Sequence, residues 1–214
     1  MKNQNTPFAR EGYPFIGGAV FVTVVFALLG WMALTGISLT LALFIAWFFR
    51  NPERVVPVGE QKVVAPADGR VIFVGPVDEP RCSQQPVTKI SIFMNVFNVH
   101  VNRAPVSGTV VDRFYNPGRF LNADLDKASL ENEQAGLVVQ TDAGARVLFI
   151  QIAGLIARRI VTYPVVGDRL ERGQRYGLIR FGSRVDIYLP AGTRIDVRLG
   201  DLTVAAETVL GELP

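Results

Sequence analysis

The amino-acid sequence predicts a mainly β, barrel-sandwich-like domain that follows an N-terminal hairpin of two apolar helices. Three observations lead to this prediction. No charged residue occurs between residues 13 and 49. From Val55 onward, short runs rich in valine, isoleucine and phenylalanine are bounded by glycine, proline and other turn residues, which is typical of strands. Within that second part, the pattern A-P-x-x-G-x-V occurs twice.

The uncharged segment predicts a membrane anchor over residues 1–54. A spanning helix needs about 20 apolar residues, and residues 13–49 form a run too long for one comfortable crossing. We expect a helix over residues 15–33, a turn around Thr35 and Gly36, and a shorter helix over residues 39–49 that re-enters or crosses the bilayer. The alternative is a signal peptide, but its apolar stretch is only about 7–15 residues long.

The charges that flank this segment predict its orientation. Lys2 and Arg10 precede it, and Arg50 and Arg54 follow it. Since basic residues favour the cytoplasmic side of a membrane, both ends of the segment are expected there. We therefore predict a protein of the cell membrane whose remaining domain, residues 55–214, lies on the cytoplasmic side.

The second part of the chain contains ten predicted strands. One stretch differs, because residues 116–133 are polar and begin with Asn-Pro-Gly; its middle, residues 123–132, is either a short helix or a loop. Many short strands with regular turns favour a sandwich or barrel over an α/β fold. The predicted strands are residues 61–65, 70–74, 89–93, 108–114, 137–141, 146–152, 160–162, 177–181, 184–189 and 194–199.

The repeated pattern covers residues 64–71 and 103–110. Proline fixes φ before each turn, glycine permits unusual backbone angles within it, and a valine-containing strand follows. The pattern resembles the half-barrel units of biotinyl- and lipoyl-like domains. Two unrelated tight turns are the alternative interpretation.

Composition excludes several classes of function. The only cysteine, Cys82, excludes an intramolecular disulfide and a cysteine-cluster metal site, and a single histidine argues against a histidine-based zinc centre, so we predict no metal. The net charge is +3 without a dense run of lysine or arginine. Nucleic acid is therefore not a predicted partner, whereas attraction to anionic lipid head groups fits the charge better.

Three positions are candidates for chemistry. His100 is the only side chain expected to titrate near neutral pH when unperturbed, although an isolated histidine is often structural. Asp68 lies in a Pro-Ala-Asp-Gly turn, where aspartate also serves local hydrogen bonding. Gly182 and Ser183 separate two strand-like runs. They form either a plain turn or bulge, or a site where the serine hydroxyl reaches the carbonyl group of the preceding glycine.

In their order along the chain, these features resemble the phosphatidylserine decarboxylases, in particular their shorter prokaryotic branch. The resemblance covers essentially the whole chain. It rests on F-F-R-N-P-E-R at residues 48–54, A-P-A-D-G at 65–69, His100 ahead of A-P-V-S-G at 104–108, residues 122–133, and G-D-R-L-E-R-G-Q at 167–174 before F-G-S at 181–183.

The resemblance implies a self-processing enzyme with Ser183, His100 and Asp68 as catalytic residues. Ser183 would attack the carbonyl group of Gly182, and the chain would separate into residues 1–182 and 183–214, which remain together as a heterodimer. Ser183 would become a covalent pyruvoyl group. That cofactor would form a Schiff base with phosphatidylserine in the membrane, release CO2 and leave phosphatidylethanolamine, with His100 as the proton donor.

Two departures from the family pattern concern the processing site. Many relatives have Leu-Gly-Ser-Thr where this chain has Phe181, Gly182, Ser183 and Arg184. Many also have a second histidine at the position of Arg103. Either His100 serves for both, or Arg103 orients another group, since arginine stays protonated and is a poor base.

A carrier or adaptor without catalysis is the alternative function. Asp126, Lys127 and Ala128 are similar to the lysine motif of lipoyl carriers, but Lys127 lies in a polar stretch where a carrier needs a tight hairpin. A related serine phospholipid with another glycerol core, the acyl-chain preference and a higher oligomer all stay open at the level of sequence.

Overall fold

The structure is a computed structural model that describes residues 6–83, 85–120, 131–154, 159–180 and 183–214. The chain divides into two compact units, Met1–Glu53 and Arg54–Pro214. The boundary lies one residue before the predicted one.

The first unit is a pair of apolar helices. A single 3-10 turn, Arg10–Gly12, leads into α1 (Tyr13–Leu28), and α2 (Met32–Phe48) follows. The predicted turn around Thr35 and Gly36 is wrong, because the chain reverses at Gly30, where φ is 71°. The polar residues that suggested the turn lie inside α2 instead. Thr35 donates its hydroxyl proton to the carbonyl oxygen of Trp31, one turn earlier.

The two open ends of this helical pair meet. Ala9 N donates to the carbonyl oxygen of Phe49 at 2.7 Å, and Asn51 N donates to that of Pro7 at 2.8 Å. The residue before α1 and the residue after α2 are therefore fixed side by side at one end of the hairpin.

The second unit consists of strands arranged in three sheets, so the mainly β prediction is confirmed. The large sheet has the order β13-β2-β3-β11-β7-β6-β5-β9, and the two small sheets have the orders β1-β14-β12 and β4-β10-β8. The strands are β1 (Lys62–Val64), β2 (Gly69–Val77), β3 (Val87–Met94), β4 (Val101–Arg103), β5 (Gly108–Asn116), β6 (Gln134–Gln140), β7 (Arg146–Ala153), β8 (Ile160–Thr162), β9 (Arg169–Leu170), β10 (Arg175–Ile179), β11 (Ser183–Leu189), β12 (Arg194–Ile195), β13 (Leu202–Thr203) and β14 (Val209–Glu212).

Sequence patterns found every long strand and missed four of the short ones. The predicted strand over residues 194–199 is too long, since only β12 forms there. The short strands β4, β9, β13 and β14 were not predicted. A strand of two to four residues is too short to display alternation, and its existence depends on the partner that it pairs with.

The two A-P-x-x-G-x-V segments are structural equivalents. Val64 N donates to the carbonyl oxygen of Pro105 at 3.0 Å, and Arg103 N donates to that of Pro66 at 2.9 Å. The segments therefore exchange a reciprocal pair of backbone hydrogen bonds.

Each segment also holds a matching partner segment. Asp68 Oδ1 accepts the N–H of Ala205 at 2.8 Å, and Ser107 Oγ accepts the N–H of Arg172 at 2.9 Å. Further equivalent backbone pairs are Gly69–Thr203 and Gly108–Leu170, Val71–Asp201 and Val110–Asp168, and Val64–Val209 and Arg103–Arg175. The interpretation as two unrelated turns is wrong.

The repeat explains the sheet order. At each edge of the large sheet lies a two-residue strand, β13 or β9. The next strand inward, β2 or β5, is long and begins at the glycine of a repeat segment, Gly69 or Gly108. The strands β11 and β7 pair in the middle of the sheet. Most of the apolar core lies on one face of this sheet. Val185, Ile187 and Leu189 contribute to it from β11, all of them fully buried.

Candidate active site around Ser183

Ser183 is the first residue of the central strand β11. It pairs with Met94 at the end of β3 and with Ala153 at the end of β7. The Ser183 side chain is fully buried, and its Oγ has no hydrogen-bond partner among the described residues. A buried hydroxyl without a partner is costly, so it indicates a group retained for its chemistry.

The next residue, Arg184, lies on the opposite face of β11. Its guanidinium group binds the carboxylate of Asp186, with Nη2 2.9 Å from Oδ2, and donates to Ser91 Oγ at 3.1 Å. Lys89 Nζ lies 3.8 Å from the same carboxylate. Arg184 and Asp186 are almost entirely buried. The ion pair therefore fixes the beginning of β11 against β3 from the face that Ser183 does not use.

Asp68 lies at the same end of the sheet, just before β2. Two strand spacings, about 10 Å, separate β2 from β11, because β3 runs between them. The Asp68 carboxylate accepts two hydrogen bonds from Arg54 Nη2, at 3.0 and 2.8 Å. A Cβ atom on Gly69 would collide with the carbonyl oxygen of Phe93, so the turn that carries Asp68 is held tightly against β3.

His100 is fully buried directly before β4. Its Nδ1 lies 3.0 Å from the carbonyl oxygen of Asn98. A carbonyl oxygen only accepts, so Nδ1 carries the proton in this contact. The carbonyl oxygen of His100 accepts the N–H of Ile179, on the strand that leads towards Ser183.

Arg103 is the last residue of β4. Its Nη1 donates to the carbonyl oxygen of Gly173 at 3.0 Å. Burial lowers the pKa of the Arg103 guanidinium group, and the neighbouring charges of Arg54 and Arg175 lower it further, whereas Asp68 raises it. Arg103 nevertheless stays protonated, as arginine side chains in proteins do.

Sequence reasoning missed a hydrogen-bonded chain of polar side chains next to Ser183. The Thr162 hydroxyl donates to Gln151 Oε1 at 2.6 Å, and Gln151 Nε2 donates to Asn102 Oδ1 at 2.7 Å. Asn102 Nδ2 donates to the sulfur of Met94 at 3.5 Å. Asn102 lies two residues after His100 in an extended segment, and this spacing could have identified it as a residue on the same face.

Backbone pairing therefore collects Ser183, Asp68 and the segment around His100 at one end of the second unit. Phe181, Gly182 and Lys127 lie outside the described residues. Residues 41–211 match the protein family described as phosphatidylserine decarboxylase. The chain belongs to the phosphatidylserine decarboxylase family.

Full-length relatives lead to the same family. The chain is 62% identical over 213 residues to the phosphatidylserine decarboxylase proenzyme of Syntrophotalea carbinolica. It is 58% identical over 214 residues to that of Geotalea uraniireducens and 59% identical over 219 residues to that of Geobacter sulfurreducens. Each alignment covers 100% of both chains. Family membership thus extends over the apolar helices as well as the β unit.

Proposed function

We propose that the protein is a membrane-anchored phosphatidylserine decarboxylase that cleaves its own chain between Gly182 and Ser183. The observation that carries the proposal is the buried Ser183 hydroxyl, which has no hydrogen-bond partner among the described residues. The name proenzyme, given to the full-length relatives, supports a chain that is made as a precursor. Ser183 would become the covalent pyruvoyl group.

The cleavage is an internal rearrangement followed by elimination. Ser183 Oγ forms a bond to the carbonyl carbon of Gly182 and gives up its proton, and the peptide C–N bond breaks as its nitrogen takes a proton. The resulting ester is an isomer of the original chain. Removal of the Ser183 α-proton then expels the Gly182 carboxylate. Water finally replaces the amino nitrogen of residue 183, which leaves as ammonia. No oxidant or reductant is needed.

His100 is the proposed proton carrier. Its Nδ1 donates to the carbonyl oxygen of Asn98, and this hydrogen bond fixes the orientation of the ring. A positioned acid or base of this kind typically contributes about 10²–10⁴-fold to a rate. His100 is the chain's only histidine, so the same side chain would serve self-cleavage and the protonation of carbon after CO2 leaves.

Asp68 is the proposed acidic member of the processing assembly. Its carboxylate accepts hydrogen bonds from Arg54 and from the N–H of Ala205, and its charge acts on Arg103. We propose that the negative charge of Asp68 balances the positive charges of Arg54 and Arg103. Asp68 thereby helps to orient the segment around His100. Arg103 binds the carbonyl oxygen of Gly173 and acts by position.

The pyruvoyl group fits the position of Ser183. Its ketone would supply an acceptor for the electron pair released as CO2 departs. Met94 and Ala153 flank the residue on the neighbouring strands, and the buried surroundings exclude water from it. A dry site strengthens each electrostatic contact with the reacting atoms.

Residues 1–182 and 183–214 would stay together after the cut. The shorter chain supplies β11 to the middle of the large sheet, β13 to its edge, and β12 and β14 to a small sheet. It also buries Val185, Ile187 and Leu210 in the main core. A segment of this size cannot fold alone, because too little of its surface would be buried.

The helical pair supports attachment to the membrane that contains the substrate. Among the described residues, one helical segment, Arg10–Leu28, is long and apolar enough to cross a membrane, and Met32–Phe48 is a shorter apolar helix. Leu28 and Met32 beside the turn are 83% and 79% exposed, which suits lipid better than water. Because the two ends of the pair are hydrogen-bonded to each other, both would emerge on one side, which we propose is the cytoplasmic side.

The test of self-cleavage compares the wild-type chain with Ser183→Ala on a denaturing gel. Wild type should give two fragments, the smaller blocked at its N-terminus by the ketone, and Ser183→Ala should give one band near 23.5 kDa. Ser107→Ala, at a serine of the second repeat segment, should cleave like wild type. Wild-type protein that stays uncut yet decarboxylates phosphatidylserine would exclude the pyruvoyl mechanism.

Cysteine labelling tests the anchor. In a Cys82→Ala background, Asn5→Cys and Val55→Cys should both resist an impermeant thiol reagent added to intact cells and react after permeabilisation. Labelling of only one position in intact cells would favour a single tilted span.

A further inference from the structure

The Asn102 side-chain amide is buried and held in one orientation. Its Oδ1 accepts a hydrogen bond from Gln151 Nε2, and Gln151 Oε1 accepts one from the Thr162 hydroxyl group. This direction of donation requires Asn102 Nδ2, not Oδ1, to face Met94. Asn102 and Gln151 are both 0% exposed.

The Asn102 N–H groups have only a weak acceptor. The single partner of Nδ2 among the described residues is the thioether sulfur of Met94, at 3.5 Å, and a thioether is a poor hydrogen-bond acceptor. Buried amide donors are normally paired with oxygen. The arrangement therefore keeps a polar donor in an apolar interior without the partner that would stabilise it.

The Asn102 amide lies across β11 on the face that carries Ser183. Its two contacts are on the strands that flank β11: Met94 of β3 pairs with Ser183, and Gln151 of β7 pairs with Val185. Directly opposed residues in an antiparallel sheet project to the same face, and Ser183 and Val185 are two residues apart. The Asn102 amide therefore lies over β11, on the face to which the Ser183 side chain projects.

We propose that Asn102 is the oxyanion donor of the self-cleavage reaction. When Ser183 Oγ attacks the carbonyl carbon of Gly182, the carbonyl π electrons move to its oxygen, and Asn102 Nδ2–H would donate to that oxyanion. The ring of the adduct contains Oγ and therefore forms on the face of β11 that Asn102 covers. This inference rests on the proposed self-cleavage and adds the group that stabilises its first step.

The chemistry explains the unusual hydrogen bonding of Asn102. A donor that is fixed before the reaction stabilises developing charge without reorganisation, and removal of one such donor typically slows a reaction about 10²–10³-fold. The gain is largest where water is excluded. The weak contact with sulfur is lost at little cost when a charged oxygen forms nearby.

The first test follows the cleavage of newly made, pulse-labelled full-length chain in cell-free translation with phospholipid vesicles. Asn102→Leu should slow conversion to two fragments about 10²–10³-fold, whereas Tyr188→Phe, which removes a hydroxyl group on the other face of β11, should match wild type. An Asn102→Leu chain that cleaves as fast as wild type overturns the inference. A wild-type chain that does not cleave overturns the proposed function instead.

Asn102→Asp separates donation from packing, because it preserves the shape and replaces the amide donor with a carboxyl group. Only the protonated carboxyl donates, so the cleavage rate of Asn102→Asp relative to wild type should rise as the pH is lowered from about 8 to about 6, since burial raises the pKa of such a carboxyl group. A ratio that does not change with pH overturns the donor role, even if Asn102→Leu fails to fold.

Hydroxylamine identifies the step. It cleaves esters, so a chain blocked after the attack of Ser183 Oγ would release a small fragment that begins with Ser183. Asn102→Leu should release no such fragment, because its ester does not accumulate. Release of the fragment would move the block to the later elimination and contradict the assignment.

Discussion

The two copies of the A-P-x-x-G-x-V segment have the same backbone and different chemistry. The first copy carries Asp68 where the second carries Ser107, and each accepts an equivalent backbone N–H. Gln61 and His100 are equivalent as well, since their carbonyl oxygens accept the N–H groups of Leu213 and Ile179. The backbone repeat builds the fold, whereas the candidate catalytic side chains are where the copies differ.

This comparison teaches how a symmetric scaffold supports an asymmetric site. The first copy contributes the carboxylate of Asp68, whereas the second contributes Arg103 and is preceded directly by His100 and Asn102. Matched substitutions at equivalent positions of the two copies separate the role in folding from the role in catalysis. Substitutions that disturb the shared backbone should lower the free energy of unfolding in both copies. Only substitutions of the candidate catalytic side chains should slow the reaction.

The largest difference is expected at His100. His100→Ala should slow self-cleavage, decarboxylation or both about 10²–10⁴-fold, whereas Gln61→Ala, at the equivalent exposed position, should leave both steps unchanged. Cleavage is followed on a gel, and CO2 release is then measured per cleaved molecule. If His100→Ala performs both steps at the wild-type rate, the proton carrier is another group.

Asp68 should show the next largest difference. Asp68→Asn keeps the acceptor for the N–H of Ala205 but removes the charge that faces Arg54 and Arg103, so self-cleavage should slow about 10²-fold. Ser107→Ala removes the equivalent acceptor and should lower the free energy of unfolding by about 1 kcal/mol without slowing cleavage. Equal effects of the two substitutions on cleavage would reduce Asp68 to a structural role.

The repeat glycines should respond alike. A Cβ on Gly69 would collide with the carbonyl oxygen of Phe93, and a Cβ on Gly108 with that of Gln140. Gly69→Ala and Gly108→Ala should each lower the free energy of unfolding by about 1–3 kcal/mol, as measured by denaturant titration of the Ser183→Ala background. A neutral substitution at either position would show that the two turns are not equally constrained.

The smallest effect is expected at two equivalent residues whose φ angles lie in the left-handed region. Ala206 has φ 67° and Gly173, its repeat equivalent, has φ 80°. Ala206→Gly should raise the free energy of unfolding by about 1 kcal/mol because alanine is strained there. Gly173→Ala should lower it by at least as much, since its Cβ would also press against Val56. Melting temperatures that move in the same direction would contradict the equivalence.

Much of the fold could be predicted because local patterns determine it. The uncharged segment predicted the two helices, and the repeated motif predicted two similar turns. The position of the helical turn was wrong, because threonine and serine are stable inside an apolar helix when they donate to the preceding turn. The four short strands that were missed, β4, β9, β13 and β14, depend on the strands with which they pair.

The candidate site was only partly predictable for the same reason. Ser183, His100 and Asp68 stood out through composition and family resemblance. The contact between Arg54 and Asp68 and the chain from Thr162 through Gln151 to Asn102 join residues distant in sequence. Such contacts are created by strand pairing, which a single sequence does not specify.

The position of Ser183 has a consequence for the life of the protein in the cell. β11 lies between β3 and β7, so the surroundings of Ser183 exist only after distant parts of the chain have assembled. Under the proposed mechanism, a molecule cuts itself only once it has folded, and later unfolding cannot undo the cut. The cut is then a permanent record of successful folding, and the fraction of uncut chain in a cell extract counts the molecules that never completed the sheet.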